Sequence, residues 1–385
     1  MKLVKLLDSK PLYYTKFDPN RIVEAYKLIK EHIKHPQALW LVGTNGKGST
    51  GRTIAHLAYK SGLNVGHFSS PHIIDFKERF WINGIFATDN ILESANIKLY
   101  NLLGKNMANA LSYFEYQTLL AFVLFENLDF LVIEAGLGGE WDATSVKEYD
   151  LCVITPIGFD HSFFLGNSIK EIATTKLKAI PKKALIAKQP YKEVYSIAKK
   201  IANKKGSKLY FYEELANSRY LEIKEIAQNK GWAEYILENI TNATLALDIL
   251  GIKYNLKDLN TLKLFGRFYK LKDNIIIDVG HNSLAAKMIA NSLKEKIFLI
   301  FNILEDKDYK EVLKILKPKI KHLYIIKIST QRATDLKELQ TTLKELNISY
   351  SFFDGKVEDN KEYLVFGSFY VVEEFLKQIG ITKIV

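Results

Sequence analysis

Cysteine is almost missing from this 385-residue sequence: a lone Cys152 excludes an internal disulfide and fits a reducing compartment. Long apolar runs are missing too, and none approaches the roughly 18 residues needed to span a bilayer. The opening MKLVKLLDSKPLYYTKFD has neither the extended apolar core nor the small-residue cleavage site of a secretory leader. Internal repeats and low-complexity stretches are likewise lacking. These absences lead us to expect a cytoplasmic chain with no membrane partner. What is present is ordinary for a globular protein, with 48% hydrophobic and 25% charged residues. The length allows two or three domains, each with its own core.

The charge is not balanced. Lysine and arginine number 54 against 43 acidic residues, a net +11, so an anionic partner is expected. Nucleic acid is one candidate, and a basic, nucleotide-dependent nucleic-acid-binding protein is one competing reading. The lysines, however, are scattered along helix-like segments such as YKEVYSIAKKIANKK (191–205), where they read as a solvated face. ATP and poly-carboxylated small molecules match the charge equally well.

Apolar, β-rich runs alternate with helix-period segments, the pattern of α/β folds with parallel sheets and crossover helices. Strands are expected at QALWLV (37–42), NVGHFS (64–69), LDFLVIEA (128–135) and LCVITPI (151–157). Their near-continuous apolar character suits strands buried on both faces. A helix over Ser49 to Lys60 would end before Gly62. Around 251–266 the alternation fades, as in a linker. A second series follows: strands at 274–280, 296–304, 322–329 and 362–368, with helices at 283–293, 308–316, 335–346 and 369–379. We expect a first domain over 1–255, a linker over 256–266, and a smaller Rossmann-like α/β domain over 267–385.

The strongest local signal is LVGTNGKGST (41–50), a buried strand running through Gly43, Gly46 and Gly48 into a helix. Glycines let backbone amides close on phosphate oxygens, and a helix N-terminus favours their charge. Lys47 would reach the β- and γ-phosphates, and Ser49 or Thr50 would place a hydroxyl near Mg²⁺. The spacing departs from the usual G-x-x-x-x-G-K-[ST], with Leu41 at its first position and Gly48 between Lys47 and the hydroxyl. The alternative is a glycine-rich turn that holds no nucleotide.

Ligands of open α/β sheets bind beyond the carboxyl ends of the strands. Three other strands end in polar residues there: Ser69, Ser70 and His72; Glu134, followed by three glycines; and Asp160 with His161. A carboxylate after an apolar run is costly unless it is paired or metal-bound. Glu134 is therefore a metal ligand or a salt-bridged structural carboxylate. Alone, His161 reads as a hydrogen-bonded structural histidine. Together, hydroxyl, carboxylate and imidazole are candidate ligands of a nucleotide-bound Mg²⁺.

On these residues the sequence resembles the Mur-ligase superfamily, specifically its folylpolyglutamate/dihydrofolate synthase branch, over nearly the whole chain. GTNGKGST resembles the branch's phosphate loop with its extra glycine. SSPH (69–72) with ERFWING (78–84), YFEYQT (113–118), EAGLGGEWDATS (134–145) and ITPIGFDHSFFLG (154–166) follow in the family's order. So do GR (266–267), DVGHN (278–282), EDKD (305–308) and GSFYVV (367–372).

The resemblance implies a Mur-type ATP-binding domain followed by a glutamate-ligase domain. It implies an ATP-dependent ligase that adds L-glutamate to dihydropteroate, reduced folates or both through an acyl phosphate. Asn45, Gly46, Lys47, Gly48 and Ser49 would hold the phosphates; Asn242, Arg267 and Asp278 would also contact ATP. Ser70, Glu134 and His161 would ligate Mg²⁺, with Lys47, Glu134, His161 and Lys176 the catalytic set. Lys176 matches the lysine that the family carbamylates to ligate a second Mg²⁺; its alternative is a solvated helix lysine. Ser112, Tyr113, Phe114 and Glu115, with Trp141, Asp142 and Ala143, would line the folate pocket. The expected partners are small molecules, with no nucleic acid, and the chain is expected to act as a monomer. Departures from the family pattern bear on substrate preference. Glu140 replaces an arginine, TKLKAI (175–180) replaces E-K-A-G-I, and Glu238-Asn239 replaces H-Q. The family's N-terminal segment is shortened to FDPNR (17–21). Cell-wall Mur ligases are the nearest rival, but they carry a sugar-nucleotide domain ahead of the phosphate loop, where this sequence has 42 residues before Gly43.

Overall fold

The structure, a computed structural model, describes residues 2–11 and 18–384. Phe17 of the FDPNR segment lies outside the described residues. Two sheets organise the chain. The first contains β1 (Gln37–Val42), β2 (Val65–Phe68), β3 (Phe80–Ile82), β4 (Ile85–Phe86), β5 (Phe130–Glu134), β6 (Leu151–Ile154), β7 (Lys183–Ile186) and β8 (Lys208–Phe211). Their order is β4-β3-β2-β5-β1-β6-β7-β8, parallel except at β3 and β4.

The apolar runs become central strands because both faces of the sheet are covered. Side chains alternate across a strand, so Ala38, Trp40 and Val42 enter one core with Ile133 and Ile154. Leu39 and Leu41 enter the other with Val132 and Val153. Over that second face lie the Lys47–Lys60 and Glu234–Leu250 helices, which bury Ile54, Leu57, Ile240 and Leu247. The Lys47–Lys60 helix starts two residues earlier than its sequence suggests. Gly46 takes a left-handed conformation (φ 87°) as N-cap, which brings Lys47 and Gly48 into the first turn.

The segment that reads as a linker is tied down. It makes a 3₁₀ turn at Leu256–Thr261 and buries Leu259, Leu262 and Leu264 in the core of the first sheet. The chain then enters the second sheet: β9 (Tyr269–Lys272), β10 (Ile275–Asp278), β11 (Ile297–Phe301), β12 (Ile320–Ile325), β13 (Tyr350–Phe352) and β14 (Tyr363–Phe366). Its order is β13-β12-β11-β14-β10-β9, parallel apart from the β9 edge. Among the described residues no helix is long and apolar enough to cross a membrane.

Strand order fixes where a ligand can sit. From β1 the chain goes to β2 on one side, returns to β5 beside β1, then crosses to β6 on the other side. The crevice beyond the carboxyl end of β1 is thus a topological switch point, where open α/β sheets bind ligands. The phosphate loop, Glu134 and the segment after β6 all converge there.

Candidate active site

The loop after β1 is held open by its neighbours. The Thr44 and Asn45 amides donate to the Pro156 carbonyl at 3.0 and 3.2 Å, and Thr44 Oγ1 bridges to Gly158. Gly43 has no room for a side chain, since a Cβ would lie 2.0 Å from Thr155 Oγ1. Gly46 combines its left-handed φ with a close approach, its Cβ position being 2.6 Å from Asn239 Oδ1. Lys47 Nζ donates to the Gly43 and Thr44 carbonyls at 3.2 and 3.3 Å and lies 4.0 Å from Glu134 Oε1.

A cavity of about 160 Å³ is lined by this loop together with Ser49, Ser70, Glu134, His161 and Lys176. Thr50, the alternative hydroxyl, does not line it. Glu134 is buried at the end of β5; burial pushes its carboxyl up, against the pull of Lys47 and Arg267 and a hydrogen bond from the Ser70 amide. Lys176 is not a solvated helix lysine. It is buried, its Nζ donates to the Gly43 carbonyl at 3.0 Å, and burial with the Lys47 charge brings the amine down to about 7. His161 adopts φ 52°, and burial lowers its imidazole to about 4, so the ring is neutral at pH 7.

The second sheet closes the same cavity with Arg267, Asp278 and His281. Asp278 accepts from Tyr235 Oη at 2.6 Å and from the Phe268 and Gly280 amides at 2.7 Å each. Asn45 and Asn282 exchange side-chain hydrogen bonds at 3.0 and 2.9 Å. Asp160 is a socket for the second sheet: it accepts from Lys307 Nζ at 2.6 Å and Asn282 Nδ2 at 3.0 Å, with His281 Nε2 at 3.3 Å. It also accepts from the His161 amide at 2.9 Å, which fixes the turn that carries that histidine.

Tyr235, Asn239, Asn282 and Lys307 were given no role by sequence reasoning. The first two had a legible signal: Tyr235, Asn239 and Asn242 recur at helical spacing and share a face. Tyr235 and Asn239 line the cavity, whereas Asn242 does not, and its buried Oδ1 has no partner among the described residues.

None of Ser112, Tyr113, Phe114, Glu115, Trp141, Asp142 or Ala143 lines this cavity. Ser112 and Glu115 form a capping box at the Tyr113–Leu124 helix, and Glu115 pairs with Arg21 at 3.1 Å. Asp142 accepts from the Leu137 and Thr144 amides and so shapes the loop after β5. Phe114 approaches the cavity from behind, for a Cβ on the lining residue Gly136 would meet its ring at 2.6 Å. Trp141 is 57% exposed.

A hard divalent cation prefers oxygen and, with nucleotides, takes one or two protein ligands plus phosphate oxygens and water. Ser70 and the buried Glu134 fit that requirement. His161 has its Nε2 3.8 Å from Asp160 Oδ1, and Lys176 as an amine is no ligand. Among the described residues no three His, Cys, Asp or Glu side chains come together as a metal-binding group.

No family model matches the chain. It is 31% identical over 367 residues to the dihydrofolate synthase/folylpolyglutamate synthase of Buchnera aphidicola subsp. Schizaphis graminum, covering 87% of this chain and 86% of that protein. The crystal structure of Helicobacter pylori folylpolyglutamate synthetase superposes with a TM-score of 0.77 at 38% identity, covering 98% of this chain and 97% of that one. A bifunctional folylpolyglutamate synthase/dihydrofolate synthase of Yersinia pestis, complexed with AMPPNP and Mn, shares the fold at 23% identity. Its TM-score is 0.81, with 98% of this chain and 97% of that one covered. With this similarity spanning both sheets and the cavity between them, the chain belongs to the dihydrofolate synthase/folylpolyglutamate synthase family.

Proposed function

We propose that the chain is an ATP-dependent ligase that joins L-glutamate to dihydropteroate, reduced folate or both. The observation that carries this reading is the pairing of Lys47 with the buried Glu134 inside a glycine-walled loop at the switch point. In our reading residues 1–255 bind ATP, 256–266 join the two parts, and 267–385 form the glutamate-ligase part.

A carboxylate does not condense with an amine in water without activation. The substrate carboxylate attacks the γ-phosphorus in line, giving ADP and an acyl phosphate; the glutamate amine then attacks the acyl carbon, expels phosphate and loses a proton. The amides of Gly46 to Ser49 cradle the phosphates with the Asn45 side chain beside them, and the Lys47 ammonium turns from its loop carbonyls to the charge developing on the transferred group. Arg267 and Asp278 contact ATP from the second-sheet side; on the first-sheet side Asn239, which lines the cavity, takes the contact expected of Asn242. Ser70, Glu134 and His161 would hold a divalent cation, which would neutralise phosphate charge. A carbamylated Lys176 would ligate a second. A buried amine brought down to about 7 supports this, because only the neutral amine adds to CO₂, releasing one proton as the carbamate forms. The folate acid lies toward Ser112–Glu115 and Trp141–Ala143, where exposed Trp141 offers a ring face.

The site closes between the two sheets, which protects the acyl phosphate from water. The protein acts as a cytoplasmic monomer on small molecules. Purified protein with Mg-ATP and L-glutamate is offered dihydropteroate, tetrahydrofolate, or DNA and RNA. ADP release that requires glutamate and one of the acids is expected. Release stimulated by nucleic acid instead overturns the reading.

A further inference from the structure

Gly136 and Leu137, in the loop after β5, line the nucleotide cavity. Farther along the same loop, Gly139 packs so closely on the Lys176 helix that a Cβ would lie 2.7 Å from the Lys176 carbonyl oxygen. Residues 136–142 belong to no strand or helix, so no ladder of backbone bonds holds them. Asp142 supplies part of the restraint, accepting from the Leu137 and Thr144 amides at 2.7 and 2.9 Å. Its carboxylate is 5% exposed and pairs with no cation among the described residues. Burial pushes the carboxyl up, against the hydrogen bonds from Thr144 and Leu137 and the pull of Lys47. A buried carboxylate of this kind depends on donors that are themselves fixed in place.

The fixing comes from β1. Trp40, three residues ahead of Gly43, is buried and donates its Nε1–H to Thr144 Oγ1 at 2.8 Å. An indole can only donate, so the Thr144 hydroxyl accepts here and turns its own hydrogen to Asp142 Oδ1. Tyr149 grips Thr144 by its backbone, with Oη donating to the Thr144 carbonyl at 2.6 Å. Its ring stacks on Trp40 at 5.1 Å and 14°. Burial pushes the Tyr149 phenol up, so it stays a donor at neutral pH. Asp150 then ties the segment back to β1, exchanging hydrogen bonds with Ala38 at 2.9 Å each. A directed path therefore leaves the strand that bears the phosphate loop at Trp40. It passes through Thr144 and Asp142 and ends on the Leu137 amide in the cavity wall.

Resting on the ligase reading above, we infer that Trp40 and Thr144 are positioning residues: acting through Asp142, they set the wall of Gly136 and Leu137 past which the folate acid's carboxylate reaches the γ-phosphate. Phe114, packed against Gly136, backs that wall from the side where the acid lies. Neither Trp40 nor Thr144 lines the nucleotide cavity. Loosening the path misplaces the reacting carboxylate, a loss felt in the chemical step, and leaves the phosphate loop its own contacts with Pro156 and Gly158.

The test compares three variants with wild type. Trp40→Phe keeps the stacked ring without the N–H, Thr144→Val keeps the shape without the hydroxyl, and Thr144→Ser keeps the hydroxyl. Thermal melting establishes that each folds, and Thr144→Val carries the test from outside β1 if Trp40→Phe does not. Loss of one buried donor lowers kcat about tenfold in Trp40→Phe and about 30-fold in Thr144→Val, while Thr144→Ser stays within about threefold. AMPPNP affinity by titration calorimetry stays within about twofold throughout. The double variant is no slower than Thr144→Val alone, because both changes cut one path. Hydrogen exchange over 135–142 speeds up by about fivefold or more in Trp40→Phe and Thr144→Val, and exchange over 43–50 does not change. Wild-type kcat in a folded Thr144→Val, or unchanged exchange over 135–142, overturns this inference alone. AMPPNP affinity that falls as far as kcat overturns it too, and makes Trp40 a support of the phosphate loop. A wild type whose ADP release needs neither acid nor glutamate overturns the ligase reading, and with it the role in catalysis, whatever the exchange shows.

Discussion

Replacing Asp160 with Asn should uncouple the two sheets. Among the described residues, Asp160 is the one carboxylate that meets Lys307, Asn282 and His281 of the second sheet while also holding the His161 amide. Lys307 has only 4% of its side chain exposed, so removing the counter-charge strands a buried ammonium. Breaking such a pair costs about 3–5 kcal/mol. Asp306, 3.5 Å from Lys307 and partly exposed, supplies a weaker second partner, which sets the expectation at the low end, about 3 kcal/mol. The amide also places N–H against the Asn282 N–H that Asp160 now accepts. If turnover needs the docked arrangement, kcat/KM for ATP falls by roughly 100-fold. Lys307→Met should lose a similar amount, and the double variant little more than either single one, because the two share one interaction. The assay is ADP release under ATP limitation for the four proteins of the cycle. Independent effects that multiply, to roughly 10⁴-fold in the double variant, would refute the coupling. Burial alone would raise the Asp160 carboxyl, but His281, His161 and Lys307 hold it well below the usual carboxylate range. Its contribution is therefore complete above the unfolded carboxylate value and lost only as pH falls through the depressed folded one. Any loss of activity near pH 6 must come from another group.

Lys47→Ala should cut ADP formation by about 10³-fold or more while the protein still melts cooperatively, since the buried Glu134 carboxyl that loses its 4.0 Å partner keeps the pull of Arg267. Gly46→Ala should fail in AMPPNP binding by titration calorimetry, because a left-handed alanine would also collide with Asn239. Tyr235→Phe removes one of three donors to Asp278 and should raise KM for ATP by roughly tenfold, about 1–2 kcal/mol, in steady-state kinetics. Lys176→Ala should lose most activity and regain part of it with a short carboxylic acid at high concentration. In the wild type, ¹³CO₂ labelling of Lys176 should rise with pH through about 7, as the amine becomes neutral; label absent at pH 8 would remove the carbamate from the scheme.

The central strands were legible because burial on both faces leaves no polar alternation to confuse them, as in Trp40–Val42 and Leu131–Ile133. The short β3–β4 hairpin was not legible. Trp81 and Phe86 sit on it, but three- and two-residue strands carry too little period to read. The burial within the expected linker was not legible for a different reason. Leu259, Leu262 and Leu264 are spaced irregularly because a 3₁₀ turn and an extended segment share the burial between them. In the site, Lys47, Ser70, Glu134 and His161 were visible because each ends a recognisable strand or loop. Asp160 with Lys307, and Asn45 with Asn282, are 147 and 237 residues apart, and nothing local marks them as partners. Lys176 was ambiguous in a basic run and resolved only by its burial against Gly43.

The family departures become intelligible once their neighbours are known. Glu140, where the family has arginine, lies 2.7 Å from Lys178, within the same TKLKAI segment that departs from the pattern. Glu238 lies 2.7 Å from Lys188. Both pairs are partly exposed, and exposed pairs are worth little in stability, so their meaning is electrostatic. A lone Glu140 would turn a cationic border into an anionic one beside Trp141 and Asp142; with Lys178 attached, the border is close to neutral. A polyanionic acid approaching this border therefore meets no isolated carboxylate at Glu140, and the cations it can address are those deeper in the site, Lys47 and Arg267 above all. With the folate acid seated as proposed, discrimination among acids falls to the loop shaped by Asp142 and to the Phe114–Gly136 contact, not to the reversed charge.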